Sequence, residues 1–68
     1  MKWIKLNPKE PAFGERCLWM NDKNEWWDGA LEEIKHTTKG KVYHVSHDTE
    51  GGLFDDAVYF MKIELPKD

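Results

Sequence analysis

The chain has 68 residues, 40% of them apolar and 34% charged, with a formal net charge of −3. So short a chain buries only about 60% of the surface it exposes when unfolded, which leaves room for one small domain over residues 1–68 and excludes a deep enclosed active site. No apolar run approaches the ~20 residues that span a bilayer, and Met1-Lys2-Trp3-Ile4 lacks the long apolar stretch of a signal peptide. The expectation is a chain that starts here and works in a cytoplasm, where the lone Cys17 has no disulfide partner.

Charge is spread evenly, with five basic and seven acidic residues in 1–34 and five against six in 35–68. Binding to nucleic acid calls for a basic stripe, and Lys35, Lys39 and Lys41 around one turn are the nearest approach to it. Glu32-Glu33 and Asp55-Asp56 raise the opposite idea of a surface imitating a phosphate backbone, for which −3 is thin. Intermixed charge of this kind is what keeps a small domain soluble.

Turn residues are dense: Asn7-Pro8, Pro11, Gly14, Asn21 to Asn24, Lys39-Gly40, Glu50-Gly51-Gly52 and Pro66. Between them lie short segments rich in Trp, Tyr, Val and Ile, which suit a pleated, half-buried surface. Strands are expected near residues 2–6, 16–20, 25–35, 41–47 and 57–65, with 66–68 frayed. Glu32 to His36 has enough helix propensity for a single turn as an alternative.

Side chains alternate between the faces of a strand. Ile4 pairs with Leu6, and Leu18 with Met20 on the core face, leaving Cys17 and Trp19 opposite. A four-residue loop over 38–41 places Trp26, Ala30, Ile34, Tyr43 and Val45 on one inner face, with Trp27, Leu31 and Val42 outside. In the last strand Tyr59, Met61, Ile63 and Leu65 alternate with Val58, Phe60, Lys62 and Glu64. Gly29 inside the third strand predicts a bulge or a sharp bend.

Catalytic chemistry finds little support. His36, His44 and His47 are the only histidines, and Ser46 and Cys17 the only serine and cysteine. Ser46 lies between His44 and His47, but strand neighbours point apart, so this spacing gives no mutually bonded nucleophile, base and acid. His36, His47 and Asp48 are the one candidate metal set, against the reading of solvated strand ends. No catalytic residue, metal or cofactor is assigned.

Four tryptophans in 68 residues are the compositional anomaly, and two of them, Trp26 and Trp27, are adjacent. In a strand one of that pair must look away from a single core, to pack in a second core or meet a partner. Tryptophan and tyrosine give large rigid contact area at low entropic cost. Trp19, Trp27 and a neighbour such as Tyr59 or Phe60 are therefore the expected contact set.

The opening Trp3-Ile4, then Pro11 and Gly14, the run Arg16-Cys17-Leu18-Trp19 and the closing Tyr59-Phe60-Met61-Lys62-Ile63-Glu64-Leu65-Pro66 resemble a family of short phage and prophage proteins. That family begins Trp-Ile and ends His-Trp-Met-Pro-Leu-Pro; here Tyr59 and Phe60 stand for His-Trp, and Lys62 for the first proline. The resemblance implies a phage origin. The middle of the chain, Glu25-Trp26-Trp27-Asp28-Gly29-Ala30-Leu31 followed by Lys41-Val42-Tyr43-His44-Val45 and Asp48, is similar to Tudor-type and other SH3-like barrels. By that likeness Trp19, Trp27 and Tyr43 would form an aromatic cage for a methylated cation, with Asp48 or Asp28 as its anionic wall.

The expectation is an all-β, five-stranded antiparallel SH3-like barrel or strongly bent sheet. Its expected role is that of a non-enzymatic, phage-encoded protein in the bacterial cytoplasm that docks on a host protein, such as a defence factor, and modulates it. Two rival roles are a binder of a small molecule or modified residue, including sequestration of a nucleotide signal, and a homo-oligomeric component pairing through strand edges.

Overall fold

A computed structural model describes residues 2–63. The frayed tail expected at 66–68 and the last two residues of the fifth expected strand lie outside them. Six strands form one sheet: β1 (Ile4–Lys5), β2 (Arg16–Met20), β3 (Trp26–Thr37), β4 (Gly40–Ser46), β5 (Leu53–Phe54) and β6 (Tyr59–Lys62). Their order is β1-β6-β2-β3-β4-β5 and every neighbouring pair is antiparallel. The fold is all-β as expected, with Glu32 to His36 extended inside β3. It differs in having a sixth strand, the two-residue β5; of the two expected forms, barrel or open sheet, it takes the open one, with β1 and β5 at its edges.

The long β3 organises the molecule. Residues 26–30 pair with β2 and residues 31–37 with β4, so one strand serves two ladders. Between Leu31 and Glu33 the register slips, because Leu31 lies opposite Val45 while Glu33 lies opposite His44. Glu32 is the extra residue of a bulge, and one extra residue reverses which side chains face inward.

That reversal corrects the expected faces. Ile34, Tyr43 and Val45 do share the inner side, but upstream of the bulge it is Trp27, Gly29 and Leu31 that join them, not Trp26 and Ala30. Trp19 lies opposite both Trp27 and Phe60, so β2 turns Cys17 and Trp19 inward and leaves Leu18 and Met20 on the other side. The core is Leu6, Cys17, Trp19, Trp27, Leu31, Tyr43, Val45 and Phe60. Burying about 200 Å² of one indole gains about 5 kcal/mol before ordering costs, as much as a domain this small holds in net stability. The inner face therefore goes to the indoles.

Close packing at Gly29 brings the end of β4 against β3. A Cβ there would lie 1.8 Å from the carbonyl oxygen of Ser46, so only glycine lets the end of β4 rest on β3. Around this contact the indole N–H of Trp19 donates to Gly29 O at 2.9 Å, Ser46 Oγ accepts from Ala30 N at 2.9 Å, and Asp48 N donates to Asp28 O at 2.9 Å. The expected disturbance at Gly29 is thus a close backbone approach, and the bulge itself lies three residues on.

The β3–β4 hairpin turns on Thr38-Lys39 alone, with Thr37 opposite Gly40. Thr37 Oγ1 donates to Gly40 O at 2.7 Å and accepts from Lys39 N at 3.2 Å. Relative to the expected four-residue loop the register moves by two, an even shift that keeps Ile34 on the side of Tyr43 and Val45. Toward the turn end of the hairpin, Glu10 Oε2 accepts from Tyr43 Oη at 2.7 Å and from Lys41 Nζ at 2.8 Å, clasping the 7–15 segment over the core.

Candidate functional site

With the inner face filled, the outer face of β1-β6-β2-β3 holds what remains apolar. Lys5 lies opposite Tyr59, Tyr59 opposite Met20 and Met20 opposite Trp26, so a single cross-strand row runs Lys5, Tyr59, Met20, Trp26. Residues directly opposite in antiparallel strands project to the same side. A second row, Met61, Leu18, Asp28, lies beside it. Leu18, Met20, Tyr59 and Met61 are half-buried, and Trp26 is 65% exposed.

Trp26 also borders a cleft of about 270 Å³ at the start of β3. Its aromatic walls are Trp26, Trp27, His47 and Phe54; Asn21, Glu25, Glu50 and Asp56 supply the polar ones. Trp27 stacks on His47 with ring centroids 5.8 Å apart and planes 6° apart, and Phe54 packs against both at 5.5 and 4.7 Å. His47 Nδ1 accepts from Glu50 N at 3.0 Å, which puts the ring proton on Nε2, 3.2 Å from Glu50 Oε2.

Asn21 is the one buried polar side chain among the described residues, and it builds the opposite wall. Its Oδ1 accepts from the backbone N–H groups of Lys23 and Glu25, shaping the β2–β3 turn, where Asn24 takes a φ of 64°. Its Nδ2 donates to Glu25 Oε1 at 2.9 Å and to Asp56 Oδ2 at 3.0 Å, so a single amide gathers two carboxylates. Neither carboxylate is paired with a described lysine or arginine. No described lysine or arginine lines the cleft.

The expected contact residues divide. Tyr59 lies on the outer row. Trp19, Trp27, Tyr43 and Phe60 are at most 6% exposed and belong to the core, which corrects their expected role as surface contacts; the bulge turns Trp27 inward and the β2 register Trp19, while Tyr43 keeps the inner face its alternation predicts. Trp19, Trp27 and Tyr43 do share a face, as a cage would require, but they pack into the interior instead of enclosing an open site. Asp28 and Asp48 are both paired with Arg16, at 3.3 and 2.7 Å. His36 lies opposite Lys41 near the hairpin tip, whereas His47 follows the far end of β4, and no described cluster of three metal-binding side chains forms. Cys17 is fully buried, and desolvation raises its thiol above the ordinary value.

Trp26, Met20 and the Asn21 carboxylate wall escaped the sequence reading. Asn21 carried a signal: it opens a polar turn whose fifth residue is an acid, the arrangement in which an asparagine caps its own loop. Compared with known proteins, the chain matches no family model, no curated protein and no solved structure. No helix among the described residues is long and apolar enough to cross a membrane.

Proposed function

We propose that this protein is a non-enzymatic recognition module that docks on a partner protein through the outer row Tyr59-Met20-Trp26 and the adjoining acidic cleft. One observation carries the reading: Trp26 is 65% exposed at the point where an apolar row meets a concave site. A tryptophan in that position has the rigid area and pocket-edge placement of an interface hot spot. The terminal motifs extend the proposal to a bacterial host protein as the partner, whose activity the docked module modulates. Affinity capture from bacterial lysate tests it. Trp26→Ala should lose a partner that Phe13→Ala, a control at another exposed aromatic, retains; retention by both variants contradicts the reading.

The cleft also favours a second reading, a binder of a small organic cation. Three carboxylates around 270 Å³ repel the phosphates of a nucleotide signal and attract a positive ligand. A rise in melting temperature with polyamines or quaternary ammonium ions, and no protein captured, would support it over docking.

A further inference from the structure

We propose that the cleft beside Trp26 receives one arginine side chain from a segment of the partner lying along the outer row. The inference rests on the recognition reading above and names the chemistry of what is recognised.

Charge gives the first argument. Glu25, Glu50 and Asp56 line the cleft, and each is held through one oxygen: Glu25 Oε1 and Asp56 Oδ2 by Asn21 Nδ2, Glu50 Oε2 by the His47 ring. The second oxygen of each, Glu25 Oε2, Asp56 Oδ1 and Glu50 Oε1, has no described hydrogen-bond partner. Two carboxylates drawn to one amide repel each other, and no described basic side chain offsets this. A cation that enters relieves that repulsion.

Shape and surface give the second. Four aromatic rings line the cleft, and Trp26 among them is 65% exposed. A guanidinium is planar and stacks on an indole, carries five donors in a fixed fork, and sheds water more readily than an ammonium. It meets a flat ring on one side and several separated acceptors on the other; an ammonium has one compact charge and must favour a single wall. Trp27, another wall, is 5% exposed, and its indole N–H is the one buried side-chain polar atom among the described residues with no acceptor.

The test is a titration of the full chain, read by the indole N–H resonances in nitrogen–proton NMR spectra. The probes are acetyl-Gly-Arg-Gly-amide and its citrulline, lysine and trimethyllysine counterparts. The arginine peptide should move the Trp26 resonance saturably, with a Kd of about 1 mM for a single side chain, and leave that of Trp19, already bonded to Gly29 O, in place. Citrulline, the same size and neutral, should bind at least tenfold more weakly, as should arginine at high salt or against the Glu25→Gln, Asp56→Asn double variant with its melting temperature checked. Equal binding of citrulline overturns the charge argument, and equal or tighter binding of lysine or trimethyllysine overturns the guanidinium assignment. Silence from every peptide overturns the site. In each of these cases, continued loss of a captured partner by Trp26→Ala leaves the recognition reading standing, so the two failures are distinguishable.

Discussion

Met20 and Trp26 face each other across β2 and β3 on the outside of the sheet, while their neighbours Trp19 and Trp27 face each other on the inside. Two consecutive cross-strand pairs thus split four large side chains between stability and recognition. Trp27→Ala empties core volume and should cost about 3–5 kcal/mol, enough to unfold a chain this small. Trp26→Ala should change stability by less than about 1 kcal/mol and weaken partner binding about thirtyfold or more. Urea unfolding and a binding titration on the same two variants separate the roles.

Gly29→Ala should be as damaging as the loss of a core indole. The added methyl meets the Ser46 backbone carbonyl, which is no flexible tip that can swing aside. Its relief requires β3 and the end of β4 to part, breaking the Ala30 to Ser46 and Asp48 to Asp28 hydrogen bonds. A loss above about 3 kcal/mol, or no folded protein, is expected in thermal melting.

Acid should loosen the clasp over the hairpin. Hydrogen bonds from Lys41 and then Tyr43 hold the Glu10 carboxyl below the usual carboxylate range, against an opposing contribution from desolvation. A carboxyl lowered in the folded state contributes stability that is fully present above its unfolded value of about 4.3 and is lost as pH falls through the folded value. Glu10→Gln should therefore be less stable at neutral pH and show a shallower loss below about pH 4. The Tyr43 phenol moves the other way, raised by burial and by Glu10, so its contribution is lost as pH rises beyond about 10. Urea midpoints between acid and alkaline pH check both signs.

Asn21→Ala should injure the fold and the cleft together. It removes the acceptor for the Lys23 and Glu25 amides and releases Glu25 and Asp56 from a common donor. A loss of about 1–3 kcal/mol is expected from the unmade bonds. Asn21→Asp keeps the acceptor but sets a third negative charge beside the two carboxylates, and should be at least as destabilising at neutral pH as Asn21→Ala.

Much of this architecture could be read from the residues. β2 was predicted at its observed bounds, and β3 and β4 within two residues at each end, because alternating aromatic and β-branched residues run up to unambiguous turns. The principle that one of two adjacent indoles must face outward also held. Which one could not be read, because that depends on Glu32, whose bulge is a property of two strands meeting and leaves no mark on either alone. That slip hid Trp26, and the face of Met20 was hidden separately, because the alternation of β2 alone does not say which of its two sets meets the core. β5 was invisible for another reason: two residues after Gly51-Gly52 have no periodicity to detect.

Oxidative footprinting of the tryptophans, read by mass spectrometry on the free protein and on its complex, addresses the division of labour directly. The account predicts that Trp26 is modified well before Trp19 and Trp27 and is shielded when the partner binds. Modification of Trp27 at the same pace, or a Trp26 that reacts equally in the complex, would contradict it.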